Sequence, residues 1–331
     1  MLNAALLGTG AQAGGRTLPS AEIDTRLGKP AGWLQAASGV ASRPVIAPGE
    51  TQESLGVAAA RRALDDARLD PGDIDLLLFA AAVGRQPIPS TATLIKRELG
   101  LTRCAAPAFD INATCLSAVA ALEVAALYIA TGRARHVLIV ASEIASRALP
   151  WADDPATAAL FGDGAAAVVL GPAEAGRLHL RDVWLETWAE GYDLCALPAG
   201  GTRYDLHTNR DAFEENAFFR MDGHALFKLT RAKLPDFIDR LLDRAGWRKG
   251  EVDLVIPHQA SPLALEHMIR KCGFARDRVV STVEQTGNLV AASIPMTLDT
   301  ARRAGRIGPG SKVVLIGTSA GVSIGGATLQ A

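Results

Sequence analysis

Cys115 is the residue whose type and setting most directly promise chemistry. It stands in FDINATCLSAVAALEVAALYIATG (109–132), where Glu123 is the only carboxylate between Leu116 and Ala130. A helix apolar on every face is a buried helix. Asn112 and Thr114 offer capping oxygens ahead of it and Gly132 a left-handed stop. Cys115 is therefore predicted in the first turn, near the positive end of the helix dipole, where unpaired backbone N–H groups favour the nucleophilic thiolate over the thiol. Two further polar residues lie in apolar surroundings: His258 in DLVIPHQAS and Asn288 in EQTGNLVAASIP.

What would bring these three together is an internal repeat. Residues 62–78, RALDDARLDPGDIDLLL, match residues 240–256, RLLDRAGWRKGEVDLVI, at an offset of 178. Gly100 answers to Gly273, and TGR at 131–133 answers to AGR at 304–306, both at an offset of 173. The strands HVLIV (136–140) and KVVLIG (312–317) follow. Such self-similarity indicates a tandem duplication of one α/β unit. Each copy reads strand, helix, strand, buried helix, strands, which predicts duplicated α/β halves in a five-layer αβαβα arrangement. The expected halves are 1–172 and 173–331, with a cap or loop segment at about 184–222, where a long stretch of mixed composition interrupts the pattern. An offset of 173 carries Cys115 to Asn288, making the asparagine the expected pseudo-twofold mate of the cysteine. His258 falls at the end of a strand, where ligands meet parallel sheets.

Composition excludes several functions. Lys plus Arg (34) nearly equals Asp plus Glu (35), so nothing calls for nucleic acid or an anionic membrane. Cys104, Cys115, Cys195 and Cys272 form no CxxC pair or cluster at metal spacing, which argues against a disulfide framework, a zinc site or any other metal. MLNAALLGTG lacks a secretory signal's basic start, and no apolar run is long enough for a bilayer, so the expected setting is cytoplasmic. GTGAQAGG is not followed by the helix that a dinucleotide fingerprint needs, and it reads as a strand and its turn. His136, His179, His207, His224 and His267, like the other three cysteines, have no motif support.

With these residues in hand, the chain resembles β-ketoacyl-acyl-carrier-protein synthase III-type condensing enzymes of the thiolase superfamily, nearly end to end. The resemblance is carried by ETQESLGVAAARRAL (50–64), TCLSA after the strand, LFGDGAAAVVLG (160–171), MDGHALFK (221–228), PHQA (257–260), GNLVAASIP (287–295) and the final GTSAGVSIGGATL. It implies that Cys115 takes an acyl group from a thioester, and that His258 and Asn288 hold the thioester carbonyl of a malonyl-type extender. Decarboxylation leaves an enolate, whose oxygen two fixed N–H donors would stabilise. Asparagine is no base, so donation is its whole contribution. The carbanion then attacks the acyl thioester, whose oxygen is expected in a hole made by the backbone N–H groups of Cys115 and Gly321. The resemblance further implies substrate contacts at Trp33, Ile88, Phe227 and Ser261, carrier-protein docking at Arg270 and Lys271, and a homodimer. It implies no cofactor, with coenzyme A or acyl-carrier-protein thioesters as substrates.

The chain departs from the family pattern in places. Arginines of the coenzyme A clamp that accompanies Trp33 read Ala37 and Pro155, a basic docking position reads Leu263, and the asparagine after HQA is Ser261. Ile88 replaces an aromatic ring, which leaves room for a longer or branched acyl group. The resemblance implies a place in fatty acid or secondary-metabolite (polyketide-type) biosynthesis, and these departures favour a donor held on a carrier protein, or a secondary-metabolite role. The alternative within the fold is an acyltransferase that moves the acyl group to an alcohol, amine or thiol without decarboxylation. Retention of both His258 and Asn288 weighs against it, because transfer needs a base more than an enolate hole. A hydroxymethylglutaryl-type synthase would need a carboxylate in AAVGRQPI (81–88), which has none.

Overall fold

The computed structural model describes residues 2–174 and 176–331. The first part of the chain runs β1 (Ala4–Ala13), β2 (Arg16–Pro19), α1 (Ser20–Arg26), α2 (Trp33–Ser38), β3 (Ser42–Val45), α3 (Gln52–Ala67), β4 (Leu76–Ala80), α4 (Thr91–Glu98), β5 (Ala108–Ile111), α5 (Ser117–Ala130), β6 (Val137–Ile144), α6 (Pro155–Ala158) and β7 (Asp163–Pro172). The second continues with β8 (Leu178–Thr187), β9 (Cys195–Ala196), α7 (Arg210–Glu215), β10 (Arg220–Met221), α8 (Gly223–Ala245), β11 (Leu254–Pro257), α9 (Pro262–Cys272), α10 (Val283–Thr286), α11 (Ser293–Arg303), β12 (Lys312–Ser319) and β13 (Ser323–Gln330).

Nine strands form one sheet in the order β11-β12-β13-β8-β1-β7-β6-β4-β5. The order is a repeat written outward from the β8·β1 junction: β1, β7, β6, β4 on one side answer to β8, β13, β12, β11 on the other. Beyond β11, Val279 makes a single parallel bridge to Val255, in the place that β5 takes beside β4. Helices fill the layers. α3 and α4 cover the outer face of the first set of strands and α8 and α9 that of the second, while α5 and α11 share a core with strands from both sets. The duplicated five-layer arrangement expected from the repeat is thus the one observed.

Local chemistry explains why the layers close. Thr51 and Ser54 cap α3 reciprocally, its hydroxyl accepting from the Ser54 N–H at 3.2 Å. α3 lies so close to β1 that a Cβ at Gly8 or Gly10 would collide with the carbonyl oxygens of Ala63 and Ala59. The glycines of GTGAQAGG therefore serve helix-on-strand packing, and β1 runs on through them. α5 buries Ala118, Val119, Ala121, Leu122, Ala125 and Ala126, as its composition requires. Among the described residues, no helix is long and apolar enough to cross a membrane.

Two expectations need correction. The cap begins at residue 188 rather than 184, because β8 extends to Thr187 and pairs there with Ser323 of β13. The pseudo-twofold mate of Cys115 is also not Asn288. α5 has 14 residues and α11 has 11, so the offset of 173 at the ends of these helices becomes 176 at their starts. Asn288 then answers to Asn112, and Ala291 to Cys115. Hydrogen bonds repeat accordingly: the Thr114 N–H donates to Asn112 Oδ1 at 2.9 Å and the Val290 N–H to Asn288 Oδ1 at 2.8 Å. Likewise the Ala113 N–H donates to Ser117 Oγ at 2.9 Å and the Leu289 N–H to Ser293 Oγ at 3.0 Å.

Candidate active site

Cys115 occupies a 3₁₀ turn, Thr114–Leu116, and α5 proper starts only at Ser117. Neither Asn112 nor Thr114 caps the helix. Ser117 Oγ instead accepts from the Ala113 N–H, and Thr114 is held at φ 51°. The turn packs against the corresponding turn Val290–Ala292, against β12 and against β13. His258 follows β11 directly, its N–H donating to the Ile316 carbonyl at 2.7 Å. Gly317 shows how closely these parts approach: a Cβ there would lie 2.9 Å from His258 Cβ and 3.2 Å from both Leu116 and Ile294 side chains. The elements carrying Cys115, His258 and Asn288 thus meet at one place, at the junction of the two sets of strands.

Asn288 is clamped by the LFGDG segment. Its N–H donates to the Leu160 carbonyl at 2.6 Å and its carbonyl accepts from the Gly162 N–H at 3.1 Å. Gly287, at φ 61°, permits the approach, since a Cβ there would sit 2.6 Å from the Leu160 oxygen. With Oδ1 taken by the Val290 N–H, the amide NH₂ is the free end of the side chain. Asp163, fully buried, fixes the same segment by accepting from the Ile46 N–H and from both the N–H and Oγ of Ser146.

Electrostatics overturn one expectation. Burial pushes the Cys115 thiol well up, and any charge that Cys195 or Glu143 acquires pushes it further, while the backbone N–H groups of Cys115 and Ala320 oppose the shift. The dipole of a helix that begins two residues later does not overcome desolvation, so the resting group is a thiol rather than the thiolate predicted. Cys195, read from the sequence as unremarkable, lies on the ribbon β9·β10, near enough for its charge to be felt at the nucleophile. Gly321 lies in the β12–β13 turn at φ 120°, with no atom within 4 Å of a would-be Cβ. Besides the N–H of Cys115 itself, the neighbouring Ala320 N–H is directed at Sγ.

Burial also lowers His258 to about 4, holding it neutral, and raises Glu143 to about 8, against backbone N–H groups of Ala82, Ala291 and Val83 that favour its anion. These shifts act oppositely on stability. Between pH 4.5 and 6.5 the unfolded chain takes a proton on histidine and releases one from glutamate relative to the fold, so the two effects offset. From pH 6.5 to 8 only Glu143 contributes, and stability should fall by about 2 kcal/mol as its unfolded form stays ionised and its folded form resists. Denaturant unfolding at pH 6.5 and 8 checks this; an unchanged or rising stability over that window would contradict it.

The remaining predicted residues are placed apart from this centre. Trp33 opens α2 and packs on Leu18, Ile23, Leu34 and Ala159 together with Trp151, a second tryptophan that the motif reading passed over. The Lys29 ammonium lies 5.1 Å over the Trp33 ring, while Ala37 on α2 and Pro155 at the start of α6 bring no cation to it. Ile88 is 85 % exposed on the loop after β4. Phe227 on α8 meets the His267 ring edge to face, centroids 4.6 Å apart. Ser261 caps α9, its Oγ accepting from the Ala264 N–H at 3.2 Å. Arg270 and Lys271 are exposed in the last turn of α9, and with Arg231 from α8 they crowd His267, whose protonation is disfavoured by burial and then by those three cations. Glu143 escaped the sequence reading entirely, and Asn112, expected only as a helix cap, instead accepts from the Thr114 N–H and donates to the Ala82 carbonyl.

Two family models match: 3-oxoacyl-[acyl-carrier-protein] synthase III over residues 109–187 and the synthase III C-terminal model over residues 242–331. The β-ketoacyl-[acyl-carrier-protein] synthase III of Neisseria meningitidis is 35% identical over 331 residues, covering 100% of both chains. Among solved structures, the Pseudomonas aeruginosa 3-oxoacyl-(acyl carrier protein) synthase III superposes with a TM-score of 0.88 at 32% identity, covering 99% of this chain and 98% of that one. The priming β-ketosynthase of the R1128 polyketide pathway gives 0.89 at 29% identity, covering 99% and 96%.

Proposed function

Since the chain belongs to the β-ketoacyl-acyl-carrier-protein synthase III family of thiolase-fold acyltransferases, we propose that Cys115, His258 and Asn288 carry its decarboxylative condensation. One observation supports this above all: the turns of Cys115 and Asn288 pack on each other beside the strand end that presents His258. The thiol gives up its proton to an acceptor nitrogen of the neutral imidazole as it attacks an acyl thioester, and the imidazolium passes that proton on to the donor thiolate that departs. Backbone N–H groups at Cys115 and at the Ala320–Gly321 turn receive the acyl oxygen. A malonyl thioester then loses carbon dioxide while the Asn288 NH₂ and a His258 N–H hold the enolate oxygen, and its carbon attacks the acyl group, expelling the Cys115 thiolate, which takes a proton to regenerate the thiol. Because the site is buried, these donors act with little competition from water.

The same reading divides the chain at 172/173, sets the reaction in the cytoplasm and assigns the extender to a carrier protein. Support for docking comes from Arg231, Arg270 and Lys271, gathered around His267 beside the exposed Leu263. Support for a homodimer comes from Val83 and Ile88, apolar and exposed on one loop. With Ala37 and Pro155 where cations would meet coenzyme A phosphates, the donor is read as carrier-bound. Comparing acyl-coenzyme A with the same acyl group on carrier protein tests this: kcat/KM should favour the carrier by at least about tenfold, and Arg270→Glu with Lys271→Glu should raise KM for the carrier alone, an effect that fades with salt. Equal efficiency with both donors, or no change in the double variant, would overturn the assignment.

A further inference from the structure

Glu143, next to the last residue of β6, is 3 % exposed and has no cationic partner among the described residues. Its carboxyl group is surrounded by backbone. The Ala82 N–H donates to Oε1 at 2.6 Å, and the N–H groups of Val83 and Ala291 are directed at it as well. These donors come from two segments, the loop after β4 and the turn Val290–Ala292. In the loop, the Ala82 carbonyl accepts from Asn112 Nδ2 at 2.9 Å, and Asn112 Oδ1 accepts from the N–H of Thr114, the residue before the nucleophile. The Val83 carbonyl accepts from Gln52 Nε2 at 2.7 Å, which also donates to the Ser142 carbonyl at 2.8 Å, so this loop is tied back to β6. Ala291, for its part, belongs to the turn in which the Val290 N–H fixes Asn288 Oδ1.

We propose that Glu143 is a positioning residue for the condensation, one buried carboxyl group that joins the turn aiming Asn288 to the loop that steers Cys115. The inference rests on the roles given to those two residues above. A carboxyl group suits the task because both oxygens keep lone pairs that can accept, protonated or not, which lets it take N–H donors from two directions. Glutamine has the same size but only one acceptor oxygen. Glu143→Gln therefore leaves the cavity filled while setting an NH₂ against backbone N–H groups that then lack a partner.

The test measures two steps separately in the intact enzyme: formation of the acyl adduct by mass, and carbon dioxide release from a malonyl thioester per acylated site. Glu143→Gln is expected to lower kcat per acylated site at least tenfold with KM for the malonyl thioester within about twofold, and Glu143→Asp to recover part of the loss, since misplacement by about 1 Å can cost that much. A purely structural role would instead lower the melting temperature and the acylatable fraction together, with wild-type kcat per acylated site, and would overturn the proposal. Should Glu143→Gln not fold, Glu143→Asp carries the same comparison. Wild-type enzyme acylated elsewhere than Cys115 would mark failure of the underlying reading, a result distinct from a normal Glu143→Gln.

Discussion

Cys115→Ala should give a folded protein that gains no acyl mass from any thioester donor and condenses at least about 10³-fold more slowly than wild type. The expectation is strong because covalent attachment has no substitute at this place. Cys195 lies near, but its thiol is also raised by burial, to about 11, and it belongs to the cap ribbon rather than to the junction where His258 and Asn288 meet. Cys195→Ser should accordingly keep the adduct. Measuring intact mass after incubation with acyl thioesters checks both variants, and an adduct that survives in Cys115→Ala but is lost in Cys195→Ser would reverse the assignment.

The second large effect is expected at Asn288. Its Oδ1 is held by the Val290 N–H and its backbone by Leu160 and Gly162, so the NH₂ is presented with little freedom. A donor fixed before the reaction stabilises a developing oxyanion without reorganisation, and its removal costs about 10²–10³ in rate. Asn288→Ala should therefore acylate normally on Cys115 and yet lose about that factor in carbon dioxide release. Asn288→Asp should lose more, because it sets a second negative charge beside the enolate. Rapid-quench measurement of the two steps separates them. Equal loss in both would mean that Asn288 supports the nucleophile instead, and would favour simple acyl transfer over condensation.

Much of this site could be read along the chain, for reasons that also explain what could not. Cys115 was legible because a helix with one carboxylate must be buried, and His258 because it ends an uninterrupted apolar strand. The layered fold followed from a repeat whose strands and helices kept their order. Its register differs from the expected one because the offset of 173, shared by Gly100/Gly273 and by the ends of α5 and α11, gives way to 176 at the starts of these helices, and the paired hydrogen bonds at Asn112 and Asn288 reveal the true correspondence. The charge of Cys115 was misjudged because a helix start shows in sequence while desolvation does not. Glu143 left no trace at all: its partners are backbone N–H groups from residues far along the chain, and such a group has no motif. Ser261 likewise reads as a substrate contact in the family pattern, while its hydroxyl is engaged at the start of α9.

The most direct measurement of the central claim is a chase of the preformed acyl-enzyme. Wild-type protein is acylated, freed of donor, and mixed with malonyl-carrier protein while mass, carbon dioxide and product are followed together. The account predicts that the acyl mass leaves Cys115 at the rate at which carbon dioxide appears, one for one, with a β-ketoacyl thioester as product. An acyl-enzyme that ignores the malonyl thioester and is discharged only by an alcohol, amine or thiol would contradict it.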